Sequence, residues 1–221
     1  NDLDIIVLCV KDDYDPRKVL KQNNLPEWIP RNLRYVGLLK DLPNIELLCT
    51  KKLKNFKGKI AVITNPIEII TFFVAKWLPN ANVFGLGASV DSARISYILN
   101  DEMKISINKF SCSVAGEHGS HLIVVSNLWN NEKLLSVLHE KQLEKYVKRA
   151  TQMGFEIVNK LGFTLQDCVP VFVDELKWIL GFDDQNIFHS LAIPSQFTCY
   201  SRPVKITKEG KLIEFSNFTT I

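Results

Sequence analysis

Three side chains able to handle protons and anions lie in two short polar motifs of this 221-residue sequence. Asp91 and Arg94 belong to the segment DSAR (91–94), and His118 lies in the segment GEHG (116–119). Histidine exchanges a proton near neutral pH, and a carboxylate on its other ring nitrogen fixes its tautomer and stabilises its charged form. Arginine binds a carboxylate through two parallel hydrogen bonds. Together the three would suit a small anionic substrate whose carbonyl or hydroxyl gains or loses a proton.

Both motifs directly follow apolar runs that predict buried strands, so the chemistry is expected at strand ends. Further upstream, Ile60–Thr64 predicts a buried strand, Ile67–Leu78 an amphipathic helix and Asn82–Leu86 another strand. A strand, a helix and a strand with short connections predict a right-handed parallel crossover. The fold class indicated is therefore α/β.

Each candidate residue also has a structural alternative. Asp91 or Ser89 could cap the helix that is predicted to run to Leu99. His118 could be a hydrogen-bonded turn residue. His121 could form a metal pair with His118, but no third ligand pattern accompanies the two, so no metal site is predicted.

The segment Gly85-Leu86-Gly87 follows a predicted strand and could be mistaken for a dinucleotide fingerprint. That fingerprint requires a third glycine so that the following helix can pack closely, and Val90 stands at this position. We interpret the segment as a tight backbone turn.

Three segments resemble successive motifs of the lactate/malate dehydrogenase family, in the same order and with similar separations: TNPIEIITF (64–72), VFGLGASVDSARISYIL (83–99) and GEHG (116–119). The resemblance, closest to L-lactate dehydrogenase-like members, implies a partial Rossmann-type parallel sheet followed by an α+β substrate domain with antiparallel strands. Residues 1–87 would be the C-terminal part of a dinucleotide-binding domain, and residues 88–221 would be the substrate and catalytic domain.

The resemblance implies a NAD-dependent 2-hydroxy acid dehydrogenase, which transfers a hydride reversibly between nicotinamide and a small 2-oxo acid. In such an enzyme His118 and Asp91 would form the proton-transfer pair, and Arg94 would bind the substrate carboxylate. Asn65 would hydrogen-bond near the substrate oxygen and the nicotinamide, and Val10 would be a further cofactor-binding position.

Two more substrate residues follow from the resemblance. Thr164, in Gly162-Phe163-Thr164, would line the substrate pocket. Arg17 would polarise the substrate carbonyl from a mobile loop, because the segment from Arg17 to Asn24 is similar to the arginine-to-asparagine segment of the family.

The sequence departs from the family pattern at several positions. The glycine-rich turn and the acidic residue that binds the adenosine ribose would precede Asn1, which predicts a missing upstream part. Lys11 matches neither residue that sorts lactate-type from malate-type substrates, whereas Glu68 is closer to the lactate type. These departures keep a second hypothesis open, namely that the chain is a noncatalytic binding or assembly module.

The remaining segments predict the elements that surround the motifs. Leu3–Val10 has the continuous apolar pattern of a central parallel strand covered on both faces. Further helices are expected at Arg31–Leu39, Glu132–Leu161 and Thr164–Leu180. Further strands are expected at Ile45–Thr50, Ile187–Ile193, Phe197–Tyr200, Val204–Thr207 and Leu212–Phe215.

The composition is that of an ordinary globular chain, with 46% hydrophobic and 23% charged residues. A net charge of +3 with one short lysine cluster predicts no nucleic-acid partner. The five widely spaced cysteines indicate reduced core residues of a cytoplasmic protein. Without a signal peptide or a long apolar run, no membrane partner is expected. The family resemblance adds a homo-oligomer, either a dimer or a tetramer.

Overall fold

The structure of the chain is a computed structural model that describes residues 4–11, 18, 21, 33–104, 112–119, 121–125, 140–161, 165–182, 188–206 and 212–214. The chain divides into two compact units. The first comprises residues 1–85 and 192–199, and the second comprises residues 86–191 and 200–221. The assignment of a dinucleotide-binding part and a substrate part to the chain remains a prediction.

Three strands of the first unit pair in parallel. Strand β1 (Ile5–Leu8) pairs with β2 (Lys59–Val62), which pairs on its other side with β3 (Asn82–Gly85). Helix α1 (Leu33–Leu47) lies between β1 and β2 in the chain, and helix α2 (Ile67–Trp77) joins β2 to β3. The predicted parallel strand, helix and strand are therefore confirmed.

Helix α2 forms because its apolar residues recur at helical spacing. Ile67, Ile70 and Val74 lie three and four residues apart and are all buried, so they share one face of the helix. Strand and helix residues of the unit form one buried cluster, which comprises Leu8, Leu38, Ile45, Cys49, Phe56, Ile60, Val62, Ile70, Val74, Leu78 and Val83.

Two predictions for this unit are wrong. The strand expected at Ile45–Thr50 is helical, since α1 runs to Leu47 and a π-helical turn continues from Leu48 to Leu53. Ile45 and Cys49 are both fully buried and lie four residues apart, which places them on one helical face. A short apolar run cannot by itself distinguish a buried helix from a strand.

The second correction concerns the first strand. β1 lies at the end of the described strand order, and 41% of Val7 is exposed. Only Leu8 is buried within this strand, whose other residues are partly covered or exposed. The strand is therefore less buried than its apolar composition predicts, because apolar residues also occupy partly exposed positions.

Gly85 is required by close packing, and not by a turn. A Cβ at this position would lie 2.5 Å from Cγ2 of Ile67 and 2.6 Å from Oγ1 of Thr71, both on α2. Neither Gly85 nor Gly87 has a positive φ. The tight turn expected from the glycine pair is therefore replaced by a close approach between β3 and α2.

The second unit begins with a long helix followed by a hairpin. Helix α3 (Ala88–Met103) precedes strands β4 (Ser113–Glu117) and β5 (His121–Val125), which pair in antiparallel register. Two helices follow in the chain, α4 (Glu140–Leu161) and α5 (Leu165–Ile179). Both of these helices were predicted.

Three strands complete the described chain: β6 (His189–Pro194), β7 (Cys199–Ile206) and β8 (Leu212–Glu214). β7 replaces the two separate strands that were expected in this region, because Pro203 is accommodated within it. Proline lacks only the backbone N–H, so a strand tolerates it where that donor is not needed in the ladder. β7 pairs antiparallel with β8 and with β4, which confirms an antiparallel second part.

The core of the second unit lies between its helices and the hairpin. Its buried cluster comprises Ala88, Ile95, Ile98, Leu99, Cys112, Val114, Val124, Tyr146 and Ala150. These residues come from α3, α4 and the β4–β5 region. In the part of the chain that the structure describes, no helix combines the length and the apolar character needed to cross a membrane.

Candidate active site

The two motifs DSAR and GEHG meet in the second unit. Nδ1 of His118 lies 2.6 Å from Oδ2 of Asp91, and the two residues are 27 positions apart in the sequence. Because a carboxylate oxygen accepts hydrogen bonds, Nδ1 carries the hydrogen in this contact. Asp91 is 0% exposed and His118 is 6% exposed. This buried contact sets the tautomer of the histidine and places Nε2 as the nitrogen that can exchange a proton.

The turn between β4 and β5 holds His118 through its backbone. The amide nitrogen of Gly119 donates to Oδ2 of Asp91 at 3.1 Å. Gly116 and Gly119 have φ values of 117° and 71°, which L residues rarely adopt. A Cβ on Gly116 would also collide with the backbone carbonyl of His121. The two glycines are therefore required for the shape of this turn.

Asp91 does not cap its helix. Helix α3 begins at Ala88 after Gly87, and no side chain caps that end. Asp91 lies inside the first turn, where the helix dipole stabilises a negative charge. Ser89 donates its hydroxyl to the carbonyl of Ser190 at 2.9 Å. The capping alternative for Asp91 and Ser89 is thus wrong.

Arg94 lies one turn after Asp91 on α3, and it is paired with another carboxylate. Its Nε and Nη2 both donate to Oδ2 of Asp167, at 2.9 Å and 2.6 Å. Its Nη1 lies 3.6 Å from Oδ1 of Asp91. A Cβ on Gly154 would lie 2.8 Å from Nη1, so the glycine leaves space for the guanidinium beside α4. Arg94 is 7% exposed, which makes this a mostly buried ion pair.

Ser190 connects helix α3 to the hairpin of β4 and β5. Its hydroxyl accepts a hydrogen bond from the amide of Val114 at 3.0 Å, and Oγ of Ser92 lies 3.5 Å from it. Ser190 and Ser92 are both buried. Because buried polar groups that lose a partner destabilise the fold, this network holds α3 and β4 in a defined relation. That relation in turn sets the distance between Asp91 and His118.

Other predicted residues lie in the first unit. The amide of Val10 donates to Oγ1 of Thr64 at 2.8 Å, and that hydroxyl donates to the carbonyl of Leu8 at 3.3 Å. Asn65 follows Thr64 directly, is exposed and precedes a cis peptide bond to Pro66. The structure thus joins the loops after β1 and β2. Arg17 and Thr164 lie outside the described residues.

His121 contacts a carboxylate of its own hairpin. Nδ1 of His121 lies 3.0 Å from Oε2 of Glu117, and the His121 side chain is 85% exposed. The residues that the structure describes contain no group of three or more His, Cys, Asp or Glu side chains placed to hold a metal ion. The absence of a metal site remains a prediction.

Two further buried groups bear on the chemistry. Burial raises the pKa of the Cys112 thiol to about 12. A thiol with such a pKa stays protonated at neutral pH and is a poor nucleophile.

Nδ1 of His189 lies 2.8 Å from Oε1 of Glu175, and its ring stacks on Trp178 at 4.0 Å. His189 is thus structural, as predicted, whereas His139 lies outside the described residues.

Sequence reasoning missed Asp167 and Ser190. Both lie in segments that were predicted only as a helix and a strand. An acidic residue in the first turn of a helix is common, since the dipole favours it there. Asp167 is 73 positions from Arg94, and no spacing rule relates residues at that distance. The only available signal was its position three residues after Thr164.

Comparison with known proteins places this chain beside two related groups of enzymes. Malate dehydrogenase 1 of Aquifex aeolicus is 31% identical over 133 residues, which is 55% of this chain and 40% of that protein. The L-lactate dehydrogenase C chain of Rattus norvegicus is 32% identical over 119 residues, or 48% of this chain and 35% of that protein. The chain therefore spans less than half the length of either relative. No family model matches the sequence.

Solved structures show the same fold. A Trichomonas vaginalis lactate dehydrogenase in complex with NADH and oxamate superimposes with a TM-score of 0.77, covering 99% of this chain and 68% of that one at 16% identity. The apo malate dehydrogenase of Picrophilus torridus gives 0.72, covering 97% and 67% at 22% identity. This chain is therefore related to the lactate and malate dehydrogenases, by sequence over about half its length and by fold over nearly all of it.

Proposed function

We propose that the chain provides the proton-transfer and substrate part of a NAD-dependent 2-hydroxy acid dehydrogenase of the lactate/malate type. The observation that supports this most directly is the buried 2.6 Å contact between Nδ1 of His118 and Oδ2 of Asp91. A histidine held in this way is a general acid in one direction and a general base in the other. The substrate would be a small 2-oxo acid, and the product its 2-hydroxy acid.

His118 would protonate the carbonyl oxygen of the substrate through Nε2. Asp91 would stabilise the resulting imidazolium and keep the ring in one orientation. Because Asp91 is fully buried, its charge is screened less by water than that of a surface carboxylate. In the reverse direction neutral His118 would accept the proton of the 2-hydroxyl group.

Other residues would orient the substrate. Arg94 would bind the carboxylate and hold the carbonyl near His118, which favours the reactive arrangement over a chance encounter. Arg17 would polarise the carbonyl, and Thr164 would line the pocket. Asn65 would hydrogen-bond near the substrate oxygen.

The first unit has features that fit the nicotinamide end of NAD. In open parallel sheets dinucleotides bind outside the carboxyl ends of the strands. The contact between Val10 and Thr64 lies at the carboxyl ends of β1 and β2, and the exposed Asn65 follows it. Val10 and Asn65 would hold the cofactor there, and bound NAD would supply the hydride acceptor or donor. We also propose a cytoplasmic homo-oligomer.

One observation favours a second candidate, a noncatalytic binding or assembly module. Arg94 is already paired with Asp167, so its guanidinium is occupied by the protein's own carboxylate. A module without turnover would have no need of an accessible Arg94. The buried pair of His118 and Asp91, by contrast, has a direct use only in proton transfer or in holding the turn.

The test is NADH oxidation, followed by absorbance, with pyruvate, oxaloacetate and bulkier 2-oxo acids. We expect His118→Gln to lower turnover at least a hundredfold, because glutamine cannot exchange a proton near neutral pH. The matched control is His121→Gln, which changes an exposed histidine in the same hairpin and should retain turnover within a factor of two. Equal turnover in His118→Gln and the unmodified chain would contradict the proposal. A well-folded chain without NADH oxidation would favour the noncatalytic module.

A further inference from the structure

We propose that the carboxylate of Asp167 competes with a substrate carboxylate for the guanidinium of Arg94. This competition sets the specificity of the site for carboxylate substrates. The inference rests on the proposed function in one respect, since it takes Arg94 as the group that meets the substrate carboxylate. It adds a residue that neither the motifs nor the comparisons assign. The observation behind it is the ion pair at 2.6 Å between Nη2 of Arg94 and Oδ2 of Asp167.

Asp167 covers the edge of the guanidinium that a carboxylate would use. Parallel binding of a carboxylate requires two neighbouring N–H groups, and Nε with Nη2 forms one such edge. Both of these nitrogens donate to the same oxygen of Asp167. The remaining nitrogen, Nη1, faces Asp91 at 3.6 Å and the backbone at Gly154. A substrate carboxylate therefore has to displace Asp167 from that edge.

The Asp167 side chain can leave the ion pair, whereas the Arg94 side chain cannot. The Asp167 side chain is 22% exposed, whereas the Arg94 side chain is 8% exposed. A partly exposed carboxylate in the first turn of α5 can turn into water and stay stabilised by the helix N-terminus. Arg94 is enclosed between α3, α4 and α5. The aspartate is thus the partner that leaves when a substrate arrives.

The two carboxylates of the cluster oppose a carboxylate ligand. Arg94 carries the one fixed positive charge among these groups, and Asp91 and Asp167 each carry a negative charge. With His118 protonated, as the reduction of a 2-oxo acid requires, the cluster has a net charge of 0, and the charge of Asp167 repels a substrate carboxylate. Like charges at such distances interact strongly where burial limits screening. Removing the charge of Asp167 leaves the cluster with a net charge of +1.

We therefore expect Asp167 to weaken the affinity for 2-oxo acids, and one substitution at this position should restore it. Asp167→Asn keeps the size of the side chain but removes the charge, so we expect it to bind oxamate at least tenfold more tightly than the unmodified chain. The KM for a 2-oxo acid should fall by a similar factor, whereas kcat should change less than threefold. Pyruvamide, which carries no carboxylate, should show no gain.

Calorimetric titration with oxamate and with pyruvamide, each in the presence of NADH, measures this gain. The matched control is Asp174→Asn, which removes one carboxylate from an ion pair with Lys177 on the same helix and should bind oxamate within a factor of two. Asp167→Ser provides a second variant if Asp167→Asn unfolds, as judged by circular dichroism. Adding Arg94→Gln to Asp167→Asn should abolish the gain.

The outcomes separate this inference from the proposed function. An oxamate gain that depends on Arg94 supports the inference even if no variant oxidises NADH, a result that would contradict only the proposed function. His118-dependent turnover with an unchanged KM and unchanged oxamate affinity in Asp167→Asn would overturn the inference alone. Equal oxamate binding in all variants, including undetectable binding, would also overturn it.

Discussion

One carboxylate oxygen of Asp91 accepts two hydrogen bonds. Its Oδ2 accepts from the ring of His118 and from the amide of Gly119, so the same atom orients the imidazole and holds the turn. Its Oδ1 has no hydrogen-bond partner among the residues that the structure describes, and it lies 3.6 Å from Nη1 of Arg94. A buried carboxylate oxygen without a hydrogen bond is stabilised by the nearby positive charge of Arg94. Substitution of Asp91 should therefore affect both catalysis and folding.

Asp91→Asn should lower kcat by about a hundredfold to ten-thousandfold, because the amide disfavours the imidazolium and can select the other tautomer. NADH oxidation with the best 2-oxo acid measures this effect. Asp101→Asn is the matched control, since Asp101 lies near the end of the same helix in an exposed ion pair with Lys104. Turnover within a factor of three of the unmodified chain in Asp91→Asn would contradict the catalytic role.

The cysteine thiols differ in burial, and their labelling can test the structure at single positions. Cys9 is exposed, whereas Cys49 and Cys112 are buried. Burial raises the pKa of Cys49 to about 11 and that of Cys112 to about 12, from a value of 9.0. At pH 8 a disulfide reagent should therefore label Cys9 within minutes, and Cys49 and Cys112 only after unfolding. Rapid labelling of all three in the folded chain would contradict the structure.

The same pKa values predict how stability depends on pH. The thiol of Cys112 is protonated in both states below pH 9, so its burial carries no ionisation penalty there. Between pH 9 and about 12 the unfolded state loses the proton and the folded state keeps it, so stability falls as pH rises. The slope should be about 1.4 kcal/mol per pH unit for this thiol. Urea unfolding from pH 8 to 11, compared between the unmodified chain and Cys112→Ala, measures it.

At the scale of elements, the β4–β5 turn is the feature that presents His118. Its backbone passes through two residues of positive φ, and the carbonyl of His121 approaches Gly116 closely. The helix that carries Asp91 is fixed to β4 by the serine network around Ser190. A hairpin and a helix thus position His118 and Asp91, the two candidate catalytic groups.

Gly116→Ala should lower the free energy of unfolding by about 2–4 kcal/mol, because a strained φ and a collision with backbone act together. Gly181→Ala is the control, since Gly181 also has a positive φ, 82°, but no atom of the described residues lies within 4 Å of the Cβ it would gain. That variant should lose only about 1 kcal/mol. Urea unfolding of both variants measures the difference, and equal losses would show that the collision is relieved by relaxation.

At the scale of the whole molecule, the chain divides into two units that differ in their strand pairing. The first has the parallel strands β1, β2 and β3, and the second has antiparallel pairing among β4, β5, β7 and β8. Strand β6 belongs to both, since residues 189–191 lie in the second unit and 192–194 in the first. His118 and Asp91, the candidate proton-transfer pair, both lie within the second unit.

The sequence by itself determined the local features. The helical spacing of Ile67, Ile70 and Val74 and the neighbouring apolar runs specify the parallel unit, because periodicity acts over a few residues. The residue types around Asp91 and His118 indicated proton and anion chemistry, and the family resemblance implied that these two residues form a pair. The same local reasoning failed at Ile45–Thr50, since a short apolar run fits a helix or a strand equally well.

Only the tertiary structure decided which groups meet. The 2.6 Å contact between His118 and Asp91 depends on packing of α3 against the hairpin, and packing involves residues far apart in the chain. The pairing of Arg94 with Asp167 across 73 positions left no local pattern, because an aspartate in the first turn of a helix is stabilised there regardless of its partner. The sequence therefore contained the candidate catalytic groups, and the fold determined that Arg94 is already paired with Asp167.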